Sequence, residues 1–259
     1  MTDDSRAIDL SVEVPGTPQE VWEAIATGPG ITSWFVPHTV EGRAGGAVTM
    51  DFGYGVQAAQ VTAWEPPHRL VLEGDRLAFE WLVEARSGDT CVVRLVNSGF
   101  GEGDDWDAQY DGMSTGWRLF LENLRLHQEH FGGRAARSFI PTQMLPGGLD
   151  SAFEQVCAAL GIPADLEDGA RFRTAGDRVP SLSGVVDRAL RLPGATAYLL
   201  VLDEPAPGHA VLAAEGTGDT VAVSLWLYLY GDRAADLPDP VSGFLAERFS
   251  PDEKAGQRA

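Results

Sequence analysis

Hydrophobic and polar positions alternate along most of the first half of the chain. Ile8–Val14 is one such run, and Val48, Met50 and Phe52 alternate with Thr49 and Asp51. Residues 56–63 follow, then Leu70 and Leu72, then Phe79, Trp81 and Val83 against Glu80 and Glu84. Cys91, Val93 and Leu95 flank Arg94. A period of two marks half-buried antiparallel strands. Ser87-Gly88-Asp89 supplies a hairpin turn. Two segments carry a helical period instead. Val21, Trp22 and Ile25 follow Thr17, a suitable N-cap, and Pro18, favoured at a first helical position. Gly28-Pro29-Gly30 is expected to stop that helix, with a short helical turn through Ile31–Phe35 after it. Trp117, Phe120, Leu121, Leu124 and Phe131 form one apolar face of a long amphipathic helix. The predicted order is strand, helices, about six strands and a long helix, an α+β fold.

The second half repeats part of this order. Gly88-Asp89-Thr90 recurs as Gly218-Asp219-Thr220, each before an apolar strand, CVVRL or VAVSL. At nearly the same offset Trp22 maps onto Phe153, Ile25 onto Val156 and Gly101 onto Gly231. A helix with Leu149, Phe153, Val156, Cys157 and Leu160 inward, ended by Gly161 and Pro163, fits this scheme. The matches favour a diverged tandem duplication over an unrelated β-rich tail. The predicted domains are 1–133 and 138–259, joined by Gly132–Arg137. The second ends in only a short helix near Val241–Phe249. Val221–Tyr230 is apolar on one face and carries Trp226, Tyr228 and Tyr230 on the other. The aromatic face is expected to be covered, by the neighbouring domain or by a second subunit.

Composition narrows the function classes. A formal net charge of −19 makes nucleic acid a poor partner. The only lysine is Lys254. Cys91 and Cys157 fall on apolar faces and are expected to be buried thiols, not a disulfide or a metal pair. MTDDSRAIDL lacks the basic and apolar regions of a leader, and no apolar run reaches membrane-spanning length. A cytoplasmic protein without membrane contact is the expectation.

Five ordered pieces resemble a known family. They are Pro18–Ile25 (PQEVWEAI), Ile31–Pro37 (ITSWFVP), Trp64–Leu70 (WEPPHRL), Asn97–Phe100 (NSGF), and Gly116-Trp117 through Glu122–Leu124. Together the first half resembles the START-like (SRPBCC) superfamily. Within it, the chain is most similar to the family named for activators of the ATPase of the ninety-kilodalton heat-shock protein. The resemblance implies a helix-grip fold, an antiparallel sheet around a C-terminal helix with a cavity between them. It implies a carrier, sensor or chaperone-associated role, with polyketide cyclases and producer-protection proteins among wider relatives. The second half matches in outline, as a degenerate START-like α+β domain.

The candidate chemistry is sparse. Gly112-Met113-Ser114-Thr115-Gly116 matches G-x-S-x-G but lacks the preceding strand that a nucleophile elbow needs, so Ser114 or Thr115 is expected to cap the long helix. Glu102, Asp104, Asp105, Asp107 and Asp111 cluster before it without calcium-loop spacing, and a solvated loop matched to the helix dipole is expected. His127 and His130 are three apart and lack the remaining ligands of a zinc motif, so both are expected at the surface. His38, His68 and His209 are isolated. No metal or cofactor is expected.

Aromatic residues give the remaining site. Phe52, Phe79 and Trp81 share the inward parity, and Trp34, Phe100, Trp106, Tyr110, Met113 and Trp117 could line the mouth or helix side of a cavity. A filled core has the same pattern, and the family resemblance is what raises the cavity to an even alternative. The leading expectation is a non-enzymatic protein that binds a small hydrophobic or aromatic molecule in the first domain, the second stabilising or closing it. A chaperone-associated protein partner is the second alternative. A cyclase-like or hydrolase-like enzyme is the third, with Tyr110, Asp107 and Glu80 as the groups to inspect.

Overall fold

A computed structural model describes residues 6–53 and 55–249, the side chain of Asp104 excepted. The first five residues of the MTDDSRAIDL segment and Lys254 lie outside the described residues. The chain divides into two compact units. Residues 1–138 with Tyr228–Tyr230 make the first, and residues 139–227 and 231–259 the second.

The first unit runs β1 (Ile8–Pro15), α1 (Pro18–Ala26), α2 (Gly28–Thr32), β2 (His38–Val40), β3 (Ala47–Asp51), β4 (Val56–Glu65), β5 (Arg69–Glu73), β6 (Ala78–Ala85), β7 (Thr90–Ser98) and α3 (Asp104–Phe131). Its antiparallel sheet has the order β1-β7-β6-β5-β4-β3-β2. The chain meanders from β2 to β7, while α1 and α2 carry it from one sheet edge to the other. Alternation sets the faces, as expected. Trp81 and Val83 on β6 are buried, while Glu80 pairs with Arg69 at 2.6 Å on the other face. With α3 lying against the apolar face, this is the helix-grip arrangement.

Two local expectations are corrected. The first helix ends at Ala26, as expected, but Gly28-Pro29-Gly30 opens α2 rather than separating it from the first helix. Thr27 joins the helices, donating from Oγ1 to the Glu23 carbonyl at 2.7 Å and accepting from the Gly30 amide at 3.0 Å. A Cβ on Gly30 would stand 2.0 Å from the Glu23 oxygen, so the glycine permits a close helix junction.

The second correction concerns α3. It begins at Asp104, so the expected acidic loop is its first turns and Ser114 and Thr115 sit in its interior. Gly103, with φ of 108°, turns the chain into the helix. Asp105 and Asp107 then lie near the positive end of the helix dipole, which favours helix over loop. Thr17 behaves as expected, closing a reciprocal capping box with Glu20.

The chain continues with β8 (Arg137–Phe139), β9 (Thr142–Pro146), α4 (Leu149–Leu160), β10 (Arg171–Arg173), β11 (Ser183–Leu192), β12 (Ala195–Glu204), β13 (Gly208–Glu215), β14 (Thr220–Leu229), α5 (Asp232–Ala235) and α6 (Ser242–Phe249). The sheet order is β10-β11-β12-β13-β14-β8, with β9 also on β14. The register reproduces that of the first unit. Pro15 lies opposite Thr90 and Val14 opposite Cys91; Pro146 lies opposite Thr220 and Leu145 opposite Val221. The Gly16 amide donates to the Asp89 carbonyl at 2.8 Å, and the Gly147 amide to that of Asp219 at 2.7 Å. Phe153 and Val156 are buried on α4 as Trp22 and Ile25 are on α1. Strand, helix and returning sheet therefore correspond piece by piece, the pattern of a diverged second copy. In place of α3 the second unit has the short α5 and α6. Trp226, Tyr228 and Tyr230 are buried, as expected of that face. Cys91 and Cys157 are buried free thiols.

Candidate functional site

Between α3 and the apolar face of the first sheet lies a cavity of about 340 Å³. That is within the range of roughly 300–1,000 Å³ usual for small-molecule sites. Its sheet wall includes Met50, Phe52, Leu72, Phe79 and Trp81, and its helix wall Met113, Gly116, Trp117 and Phe120. The third wall is the segment after α2. The Trp34 and Phe35 amides donate to the Ile31 carbonyl at 3.2 and 2.8 Å, which folds both rings inward. Trp34 is wholly buried, and its Nε1 donates to the Ala24 carbonyl at 2.9 Å.

The aromatic rings interlock edge to face. Trp81 lies 5.6 Å from Trp117 and 5.8 Å from Trp34, with interplanar angles near perpendicular. Phe35 meets Phe120 at 4.2 Å. Such contacts favour fixed ring orientations, so the wall presents a stable apolar shape.

Polar groups are few. Gln57 and Gln109 are exposed at the rim, and His38 is the half-buried polar side chain of the lining. Among the described residues that line it, none is Asp, Glu, Lys or Arg. His38 is set by both neighbours in sequence. Its amide donates to Thr32 Oγ1 at 3.0 Å, and pairing with Met50 fixes it in the β2–β3 ladder. Nδ1 lies 2.7 Å from the Val36 carbonyl, and the ring packs against Phe35 with centroids 5.4 Å apart. Burial lowers the imidazole pKa to about 4, against a smaller opposing effect of the Val36 carbonyl. His38 is thus neutral at pH 7.

Of the residues expected around a ligand, Trp34, Phe52, Phe79, Trp81, Met113 and Trp117 line this cavity. Phe100, Trp106 and Tyr110 do not; they form a separate cluster nearer the start of α3. Phe100 meets Tyr110 at 5.1 Å and Trp106 at 6.3 Å. The Arg6 guanidinium stacks 3.9 Å from the Tyr110 ring and pairs with Asp107. Tyr110 Oη donates to the Ala7 carbonyl at 3.2 Å. These contacts fasten the start of the helix to β1. Trp106 and Tyr110 share the helix face of Met113 and Trp117, but Phe100 and Arg6 already occupy the space beneath them.

Tyr110, Asp107 and Glu80, the groups considered for acid or base chemistry, are absent from the lining. His127 was expected at the surface. It is buried at 1 % exposure, and burial lowers its pKa to about 4. The sequence reading overlooked Phe35, Phe120 and His38. Helical spacing from Trp117 marks Phe120, whereas His38 carries no motif and is found only by its place beside the Trp34-Phe35 turn. Among the described residues no helix is long and apolar enough to cross a membrane.

Residues 15–128 match the family model described as activator of Hsp90 ATPase homolog 1-like protein. No curated protein shows significant similarity to the chain. Among solved structures, the Aha1 dimer of Colwellia psychrerythraea is 20% identical, over 48% of this chain and 96% of that one, with a TM-score of 0.42. CalU16 from Micromonospora echinospora is 19% identical, over 50% and 69%, with a TM-score of 0.42. DynU16, from the dynemicin biosynthetic locus, is 19% identical over 93% of each chain, with a TM-score of 0.44.

Proposed function

We propose that the first unit, whose residues 15–128 match the activator of Hsp90 ATPase homolog 1-like family model, binds a small, uncharged, largely aromatic molecule in the cavity under α3. The observation that carries the reading is the lining itself: among the described residues it has interlocked Trp and Phe rings, a rim of two glutamines and no ionised side chain. An ionised ligand entering such a wall would lose hydration without gaining a counter-charge. A flat apolar ligand would lose none and would meet the faces and edges of oriented rings. The reading is one of binding: among the described lining residues the half-buried polar side chain is the His38 imidazole, neutral at pH 7.

Titration with 2-naphthol, followed by tryptophan fluorescence and calorimetry, tests this. Trp34, Trp81 and Trp117 all line the cavity, so saturable one-to-one binding should perturb the emission. Gly112→Phe, which places a ring in the space beside Met113, should abolish both signals. Absence of saturable binding, or binding that survives Gly112→Phe, would overturn the reading.

A further inference from the structure

We infer that the ligand of this cavity carries a hydrogen-bond donor, a hydroxyl or an N–H, and that Nε2 of His38 is the acceptor that selects it. The inference rests on the binding reading above and adds the ligand's polar chemistry.

Three observations carry it. The first is the tautomer. A carbonyl oxygen only accepts, so the 2.7 Å contact of Nδ1 with Val36 places the ring proton on Nδ1. Nε2 then has a free lone pair and is an acceptor. The second is its lack of a partner: among the described residues nothing hydrogen-bonds to Nε2. His38 is part of the cavity wall and Nε2 keeps some contact with solvent, so a ligand that displaces this water without donating leaves the acceptor unpaired at a cost. The third is rigidity. The Thr32, Val36 and Met50 contacts hold the backbone and the ring, and the Phe35 ring packs against the imidazole. A fixed acceptor discriminates better than a mobile one, because an analogue without the donor leaves it unpaired.

The glutamines do not duplicate this role. Gln57 and Gln109 are exposed, so water satisfies them whichever ligand is bound. Each also has both a donor and an acceptor, so neither discriminates by sign. Among the described lining residues, His38 is the half-buried side chain whose open nitrogen can only accept. The low pKa agrees, since the ring stays neutral over the physiological range.

The test compares 2-naphthol with 2-methoxynaphthalene, which keeps the rings and the oxygen but has no donor. Wild type should bind 2-naphthol more tightly by about three- to tenfold, the worth of one neutral hydrogen bond. His38→Leu should erase that preference, and a cooperative thermal unfolding transition should show that the variant is folded. His38→Gln, whose amide oxygen reaches the position of Nε2, should restore part of the preference. Equal affinity of wild type for the two probes, or a preference that persists in His38→Leu, would overturn the inference and leave cavity binding standing. Failure of both probes to bind would overturn the cavity reading and this inference with it.

Discussion

Asn123, buried on α3, donates from Nδ2 to the carbonyl oxygen of Trp34 at 2.6 Å. The bond joins two walls of the cavity, the helix and the segment after α2. The Trp34 carbonyl lies where the backbone leaves its helical turn, so no helical amide is available to it. Asn123→Leu would leave that oxygen buried without its donor. The expected loss is about 1–3 kcal/mol of stability, measured by urea unfolding followed at the tryptophans. A loss below about 0.5 kcal/mol would mean that the walls are held by ring packing alone.

Gly112 separates stability from binding. It lies inside α3, borders the cavity, and a Cβ placed on it meets nothing within 4 Å. Glycine in a helix interior is less favourable than alanine by up to about 1 kcal/mol. Gly112→Ala should therefore raise the unfolding midpoint and keep binding of 2-naphthol. Gly112→Phe should remain folded and lose it. Destabilisation by the alanine variant would indicate that the helix needs its freedom at this point.

Most of the sheet and the long helix are legible in the sequence, because period-two and helical spacing both follow from one-sided burial. Trp81 and Val83 face in and Glu80 faces out as their alternation requires. The start of α3 is not legible. Its first turns carry acidic and small residues in a loop-like composition, and only the turn at Gly103 and the dipole decide for helix. Six of nine candidate site residues line the cavity; the remaining three, Phe100, Trp106 and Tyr110, pack together, with Arg6 against Tyr110, a relation between distant parts of the chain. His38 is missed for the same reason, since its role depends on the carbonyl of Val36 and on the ladder to Met50.

The duplicated turn gives a matched pair of substitutions. Gly16 and Gly147 have φ of 120° and 115°, which side chains rarely adopt, and each amide bonds to the aspartate carbonyl of a Gly-Asp-Thr turn. A Cβ on Gly16 meets its nearest neighbour at 3.5 Å, and one on Gly147 meets nothing within 4 Å. The cost of alanine is therefore backbone strain in both, on the order of 1–3 kcal/mol. Gly16→Ala and Gly147→Ala should destabilise by similar amounts in thermal unfolding. A large asymmetry would mean that the two turns are alike in geometry only.

Buried titratable groups set opposing pH dependences. His38 and His127 have pKa values lowered from 6.5 to about 4 by burial. Between pH 4 and 6.5 the unfolded chain binds these protons and the native chain does not, so stability falls as pH drops through that window. Each contributes on the order of 3 kcal/mol at most. Glu215, at the end of β13, has the reverse sign. Burial raises its carboxyl from 4.5 to about 7, so between pH 4.5 and 7 the native state holds the extra proton. Stability from this group is present at low pH and is lost as pH rises towards 7. The native chain should accordingly show a shallow dependence between pH 5 and 6.5. Glu215→Gln removes the carboxyl term and should steepen the loss of stability on acidification. Ring-proton NMR should meanwhile find His38 and His127 titrating near 4. Titration of both rings near 6.5, with no change of slope in Glu215→Gln, would show that water reaches these groups in the native state.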